Sequence, residues 1–345
     1  MTPFSDPAAV SSYAERTARI VPGLRDLHRM AGVLLAERAP ADARILVLGA
    51  GGARGLAQIG VIEALQARNL HVTAVAGSSS GALVGGLFAA GKLGEYRDWL
   101  YGLNRAQMLR LLDPALGRSA LFGGERLIRA LRDLTGDVRI EELPVQFTAV
   151  AVDLMRQREV WLREGDLWDA VRASFAIPGV FTPHRVHGRD LVDGGLLAPL
   201  PIAATRLSDA HRLIAVDMHG WPTRPPGKPA EPTEAAGPGE TPPDRLVAGA
   251  EARFAAWFGR RMDRAAAPGA TGGNGIGELG FTELMARSLD TMQAQIARVQ
   301  LALDPPELVI RIPRDACQFY EFWRGRELAE IGRREADRVL DEAGY

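Results

Sequence analysis

The chain has 345 residues, of which 47% are hydrophobic and 24% are charged. This length allows about two domains and a sizeable core that needs no covalent staples. A single cysteine, Cys317, excludes a disulfide framework and most cysteine-ligated metal sites. The 41 basic and 42 acidic residues leave a net charge of −1, so the chain lacks the basic field of nucleic-acid-binding proteins and we expect no nucleic-acid partner.

The sequence shows no pattern typical of a targeting peptide or of a membrane-spanning segment. The sequence begins without a basic region followed by an apolar one, and no apolar stretch approaches the length of about 20 residues that spans a bilayer. These features predict a cytoplasmic protein, which can still contact a membrane peripherally.

In chain order, residues 1–42 carry apolar positions at helical spacing and predict an N-terminal helical extension. Two short apolar runs follow, at 45–48 and 71–76, and each leads through glycines into a helical pattern. Further strands are expected at 146–152, 159–162, 213–217 and 308–312, and helices at 124–134, 167–174, 278–303 and 319–343. The alternation of strands and helices predicts a three-layer α/β domain with a mostly parallel central sheet.

We assign this domain to residues 43–345, interrupted at 220–277 by a segment rich in proline and glycine that has the character of a lid-like insertion. Within it, Phe254, Trp257, Phe258 and Met262 share one helical face flanked by arginines. Such a face can pack on a core, as in most amphipathic helices, or can lie in a membrane interface.

Residues 77–81 are GSSSG, which fits the pattern G-x-S-x-G with Ser79 at its centre. Between an apolar strand and a helix, this pattern forms a sharp turn that lifts the central hydroxyl above the sheet. The flanking glycines permit close contact with neighbouring strands, and the helix N-terminus directs N–H groups at the nucleophile. Ser78 and Ser80 lack glycine on both sides at the required spacing, so Ser79 is the predicted nucleophile.

Residues 49–55 are GAGGARG and follow the first strand. A dinucleotide-binding loop is one interpretation, but Arg54 stands where the third glycine of that fingerprint belongs, and no acidic residue ends the next strand. We favour an oxyanion loop, in which backbone N–H groups stabilise a developing alkoxide. Neighbouring parallel strands would bring this loop and Ser79 to the same edge of the sheet.

Asp193, in the run LVDGGL, is a candidate general base at a strand end. A carboxylate activates a serine hydroxyl only when it is desolvated and hydrogen-bonded to it. A simple β-turn is the alternative explanation of the two glycines that follow. The sequence contains no HExxH motif and no paired Cys/His spacing, so we expect neither a metal nor a cofactor.

Taken in order, GGARG at 51–55, GSSSG at 77–81 and DGG at 193–195 resemble the patatin-like phospholipase family. RASFAIPGVF at 172–181 and Asp153 also resemble bacterial members. The resemblance covers residues 43–220 closely and 278–340 more loosely.

This resemblance implies a patatin-like α/β fold and hydrolysis of fatty-acyl esters of phospholipids, lysophospholipids or related lipids. It implies Ser79 as nucleophile and Asp193 as base, without histidine or cofactor. Gly51, Gly52 and Ala53 would form the oxyanion loop, with Arg54 positioning it.

Three positions depart from the family pattern: Ala50 replaces a glycine, Gln58 a common histidine and Ala198 a common asparagine. The departures bear on oxyanion geometry and substrate preference. Ala50 would cost about 1–2 kcal/mol if its φ had to be positive.

Two other functions remain open. The order Ser79, Asp193, then His211 or His219 would also suit an α/β-hydrolase triad. Alternatively, the fold could serve a non-hydrolytic regulatory protein that binds a partner or a membrane.

Overall fold

The computed structural model describes residues 43–113, 120, 122–206, 208, 212–223 and 281–345. The predicted N-terminal extension, the segment 254–262, most of the predicted insertion and His211 lie outside these residues. The strands are β1 Arg44–Leu48, β2 Val72–Ser78, β3 Gln146–Asp153, β4 Arg158–Leu162, β5 His184–Val186, β6 Arg189–Asp193, β7 Arg212–Gly220 and β8 Leu308–Pro313. The α-helices are α1 Ala57–Ala67, α2 Ser80–Ala89, α3 Leu93–Gly102, α4 Arg105–Leu111, α5 Glu125–Thr135, α6 Leu167–Ser174, α7 Phe281–Leu303 and α8 Gly325–Glu342.

The eight strands form one sheet in the order β5-β6-β3-β2-β1-β7-β8, with β4 also paired to β3. Five neighbouring strands of this sheet run parallel to one another: β3, β2, β1, β7 and β8. The other three, β4, β5 and β6, form an antiparallel edge. Every residue of β1 is buried, as its uninterrupted apolar run predicts for a strand covered on both faces. The prediction of a mostly parallel sheet is confirmed.

Helices cover both faces of this sheet. Leu46 and Leu48 of β1 belong to the main apolar core, which also includes residues of α1, α2, α6 and α8. Val47, between them, points to the opposite face, where it packs with Ala215 of β7 and Ala297 of α7. The structure therefore has the three layers that the sequence predicts.

Differences from the sequence expectations are confined to short elements. The strands expected in the parallel core all form, and α6 has the expected bounds. The helix expected from residue 319 begins only at Gly325, because a 3-10 turn at Phe322–Arg324 precedes it. The sequence also gave no prediction of α3, α4 or β5.

No helix among the described residues is long and apolar enough to cross a membrane. The longest, α7, has 23 residues but carries Arg287, Asp290 and Arg298 along its length.

Candidate active site

Ser79 occupies the sharp turn between β2 and α2. Its backbone has φ 57° and ψ −122°, a conformation that a non-glycine residue adopts only at a cost of about 1–3 kcal/mol. Neither flanking glycine has a positive φ. Both glycines are required for steric reasons, because a Cβ on Gly77 would overlap the Gly81 carbonyl and a Cβ on Gly81 would overlap the Leu48 carbonyl. The turn expected from GSSSG is therefore present.

A side chain of α6 holds this turn in place. The Ser79 N–H donates to Ser174 Oγ over 2.9 Å, and Ser174 Oγ donates to the Val150 carbonyl over 2.6 Å. Ser174 thus joins the strained turn to β3, the strand beside it. A constrained backbone conformation persists only where its surroundings fix it in this way.

Asp193 ends β6, and the next residue brings it against the Ser79 turn. A Cβ on Gly194 would overlap the Val150 carbonyl and lie 2.5 Å from Ser78 Oγ, so only glycine permits this approach. The carboxylate Oδ1 accepts the Gly195 N–H over 2.6 Å. Oδ2 is buried and makes no hydrogen bond within the described part of the chain. The structure therefore brings the two predicted dyad residues together.

Burial raises the pKa of the Asp193 carboxyl to about 7, although the neighbouring Ser79 hydroxyl and the Gly195 N–H act in the opposite direction. The residue is only 2% exposed. A carboxyl group with a pKa near neutrality is a much stronger base than an ordinary aspartate, yet it is still substantially ionised at pH 7. This electrostatic setting suits proton transfer from a serine hydroxyl.

The glycine-rich loop follows β1 at the same edge of the sheet. Gly52 has φ 57° and begins a 3-10 helix, Gly52–Leu56. Among the predicted donors, the Ala53 N–H is already bonded to the Phe319 carbonyl at 2.9 Å, and the Arg54 N–H to the Gly51 carbonyl at 3.2 Å. The N–H groups of Gly51 and Gly52 make no hydrogen bond with the described residues. Of the three N–H groups predicted to form an oxyanion loop, these two therefore have no partner among the described residues.

The Arg54 side chain fastens this loop to the C-terminal part of the chain. Its Nη1 donates to the Arg314 carbonyl at 2.7 Å, and its Nη2 forms an ion pair with Asp290 of α7. Burial alone would raise the pKa of Asp290, but the Arg54 charge and hydrogen bond outweigh it and lower that pKa. These two contacts tie the loop to α7 and to the segment after β8. That Arg54 positions an oxyanion loop stays a prediction.

The three departures from the family pattern are accommodated. Ala50 has no positive φ, so the expected cost does not arise, and its N–H donates to the Pro199 carbonyl at 2.8 Å. Gln58 is fully buried, and its Nε2 donates to the Gly49 carbonyl at 2.7 Å, which anchors the base of the loop. Ala198 is buried in a small apolar cluster with Ala76 and Val150.

His219, one of the two histidines considered for a triad, lies at the end of β7. Its Nδ1 is 3.5 Å from Asp217 Oδ1 and its Nε2 is 3.8 Å from Asp290 Oδ1. The ring thus stands between two carboxylates, neither of which is Asp193, and it makes no hydrogen bond with Ser79. Among the described residues, no group of three or more His, Cys, Asp or Glu side chains is arranged to hold a metal ion.

The remaining motif residues have structural contacts. Arg172 is buried and donates to the Gly123 carbonyl at 2.6 Å and to the Thr182 carbonyl at 3.0 Å. Asp153 accepts from the backbone and side chain of Arg156 and closes the turn after β3. Both residues shape the segments around the site without entering it.

Sequence reasoning missed three residues of this site. Ser174 lies inside the quoted motif at 172–181 but showed no sign of contact with Ser79. Asp290 and Gln293 lie on α7, about 100 residues after Asp193 in the chain. The Gln293 amide nitrogen is 2.7 Å from where a Gly195 Cβ would stand. Only the three-dimensional fold brings α7 to the site, so no local pattern identifies these side chains.

Comparison with known proteins identifies the family of the chain. Residues 46–206 match the family model described as patatin-like phospholipase. An NTE family protein of Mycobacterium tuberculosis is 38% identical over 331 residues, covering 86% of this chain and 91% of that protein. Neuropathy target esterase sws of Drosophila melanogaster is 32% identical over 180 residues, which cover 50% of this chain and 13% of the fly protein.

Among solved structures, VipD from Legionella pneumophila aligns with a TM-score of 0.43 and 15% identity, covering 88% of this chain and 67% of VipD. The family model and the mycobacterial relative decide the assignment. The chain belongs to the patatin-like phospholipase family of lipid acyl hydrolases.

Proposed function

We propose that the chain cleaves fatty-acyl ester bonds of phospholipids, lysophospholipids or related lipids through a dyad of Ser79 and Asp193. The observation that carries this proposal is the buried Asp193 carboxyl, with its pKa raised to about 7, packed against a serine on a strained turn. A structural aspartate would gain nothing from such a setting, whereas a general base gains basicity from it.

In the first half of the reaction, Ser79 Oγ attacks the ester carbonyl and Asp193 accepts the hydroxyl proton. The carbonyl oxygen becomes an oxyanion, to which the Gly51 and Gly52 N–H groups donate hydrogen bonds. Each donor of this kind typically lowers the barrier by about 3 kcal/mol. When the tetrahedral intermediate collapses, the bond to the alcohol breaks and the alcohol leaves with the proton held by Asp193.

In the second half, water attacks the acyl-serine carbonyl while Asp193 accepts a proton from the water. The same two N–H groups stabilise the second oxyanion. Collapse of this intermediate breaks the bond to Ser79 Oγ, which recovers its proton from Asp193, and the fatty acid is released. Atoms and protons balance over the cycle, and Asp193 acts alternately as base and acid.

The test is labelling with a fluorophosphonate probe together with hydrolysis of short- and long-chain esters. We expect wild-type protein to take up the probe and to hydrolyse esters, and Ser79→Ala to do neither. Ser80→Ala is the matched control, since Ser80 belongs to the same pentapeptide but packs against Gly55, and it should keep both properties. A folded wild-type chain with neither property would contradict the proposal and favour a non-hydrolytic regulatory role.

The lipid substrate also bears on location. A cytoplasmic protein with peripheral contact at a membrane is the prediction from the sequence, and an enzyme that acts on membrane lipids requires such contact. The family assignment supports the lipid substrate, while the membrane contact remains part of the proposal.

A further inference from the structure

Large exposed hydrophobic side chains are unevenly distributed over the described surface. Ten such side chains are exposed among the described residues. Six of them lie on three separate segments at the end of the sheet that carries Ser79; they are Leu154, Met155, Trp221, Leu284, Met285 and Met292. We refer to these six residues as the apolar rim.

The position of the β3–β4 turn follows from strand register. Val150 of β3 pairs with Ser78, and β3 continues for three more residues to Asp153, about 10 Å beyond the end of β2. Leu154 and Met155 come next, at the tip of the turn, and are 54% and 88% exposed. They therefore lie beyond Ser79 at the carboxyl end of the parallel strands, which is where ligands bind in open α/β sheets.

Trp221 is placed at the same end by β7. Val216 pairs with Leu48, the last residue of β1, and β7 runs on to Gly220 before Trp221 follows. The indole is 74% exposed, and the Arg298 guanidinium stacks over it at 5.0 Å. Tryptophan is a side chain favoured at the boundary between lipid and water.

The first half of α7 completes the apolar rim. Asp290 of this helix contacts Arg54 of the oxyanion loop, and Ala297 packs farther down against the middle of the sheet. The helix therefore runs from the active-site end toward the opposite end. Met285 and Met292 belong to its upper part and are 51% and 55% exposed.

Basic side chains accompany the apolar rim. Arg156 and Arg158 are exposed on the β3–β4 turn, and Arg298, in the second half of α7, extends its guanidinium to Trp221. The Asp153 carboxylate at the base of this turn is 2% exposed and paired with Arg156. Guanidinium groups next to apolar tips can bind lipid phosphates while the tips enter the acyl region.

We infer that the apolar rim is a docking surface for a phospholipid bilayer, which it enters so that an acyl ester can reach Ser79 without crossing water. This inference rests on the proposed function, because a lipid hydrolase needs its site to face the phase that holds its substrate. The side chains stand on three separate segments around the site, an arrangement that fits a planar lipid surface.

Binding can be measured apart from catalysis. The full chain with Ser79→Ala is mixed with sedimentable vesicles of phosphatidylcholine and phosphatidylglycerol, and the bound fraction is determined after centrifugation. We expect this protein to sediment with the vesicles. A second substitution in this protein, Met155→Glu or Trp221→Glu, should lower its partition coefficient onto the vesicles by about tenfold or more, because a charge replaces an inserted apolar side chain.

Leu303→Glu is the matched control. Leu303 is also 74% exposed and apolar, but it ends α7 at the far side of the molecule. Its substitution should leave partition unchanged. With Ser79 intact, the two rim variants should hydrolyse a water-soluble short-chain ester at the wild-type rate and vesicle lipid about tenfold more slowly.

Three results would overturn the inference: Ser79→Ala protein that stays in the supernatant, rim variants that bind as well as their parent, or rim variants that change only the protein's oligomeric state in sedimentation velocity. The last would show that a second copy covers the rim. Failure of the proposed function is distinguishable, since it would appear as absent ester hydrolysis while vesicle binding by Ser79→Ala protein is retained.

Discussion

At the scale of single residues, the candidate site places two unfavourable features side by side. Ser79 holds a backbone conformation normally reserved for glycine, and Asp193 holds a carboxylate away from water. Both reduce the stability of the fold, and both make sense as preparation for nucleophilic attack. They lead to separate predictions for activity and for stability.

The activity should depend on pH through Asp193. The residue accepts a proton only when ionised, so kcat/KM for a soluble ester should rise with pH through about 7 and then level off. Asp193→Asn should lower kcat/KM by about 10³-fold or more and abolish this rise. A pH profile measured on wild type and variant checks both, and a flat wild-type profile from acid to alkaline pH would remove Asp193 as the base.

The free energy of unfolding should fall with rising pH, whereas the activity should rise. The folded-state pKa of Asp193 is about 7 against an ordinary 3.8, so ionisation disfavours the folded state increasingly between about pH 4 and 7. Above that range the full cost is present, up to about 4 kcal/mol. Asp193→Asn removes the charge and should therefore stabilise the protein at pH 8 but not at pH 4.

Urea unfolding of both proteins at the two pH values measures this difference. Equal stabilities at pH 8 would show that the Asp193 carboxylate is better solvated than its burial indicates.

At the scale of elements, α7 is joined to the glycine-rich loop, the proposed oxyanion loop, by the ion pair of Asp290 with Arg54. The sequence predicts α7 as a helix from its periodicity, and it predicts the strands of the parallel core from their apolar runs. It predicts neither the order of these strands in the sheet nor the contact between Asp290 and Arg54. Contacts between residues separated by more than 200 positions depend on the packing of whole layers, which local patterns do not encode.

Asp290→Asn should test this link. The neutral amide holds Arg54 less firmly, so we expect kcat to fall by about tenfold with KM nearly unchanged, because the oxyanion exists only in the transition state. Asp304→Asn is the matched control, since Asp304 pairs with Arg206 over 2.6 Å just beyond the opposite end of α7. Equal effects of the two substitutions on kcat would mean that Asp290 supports only the fold.

At the scale of the whole molecule, the central sheet extends beyond the residues of the family match. The match ends at residue 206, yet β7 lies in the sheet between β1 and β8. The helix α8 packs on α1 so closely that a Cβ on Gly60 or Gly332 would overlap the backbone of the facing helix. The C-terminal elements therefore pack in the same sheet and core as the residues of the family match. The boundary of 43–345 stays a prediction from the sequence.

A chain shortened to end at residue 223 should consequently fail to fold cooperatively. It loses β8, α7 and α8, and it exposes the apolar surfaces of β7 and α1 that these elements cover. Thermal unfolding followed by circular dichroism would detect the loss of a sharp transition. The control is a chain without residues 1–42, which the proposed domain division places outside the catalytic domain; this chain should keep the sharp transition. A cooperative transition in the chain that ends at residue 223 would contradict the view that the C-terminal elements belong to the same core.

The conformation of Ser79 also has an evolutionary consequence. At φ 57° and ψ −122°, every side chain bears a strain that glycine avoids. Under the proposed mechanism, selection for catalysis favours serine at this position and selection for stability opposes it. In a lineage that no longer needs the hydrolase, a change from serine to glycine would relieve the strain. Glycine at this position is therefore the expected mark of a descendant that has lost the activity and retained the fold.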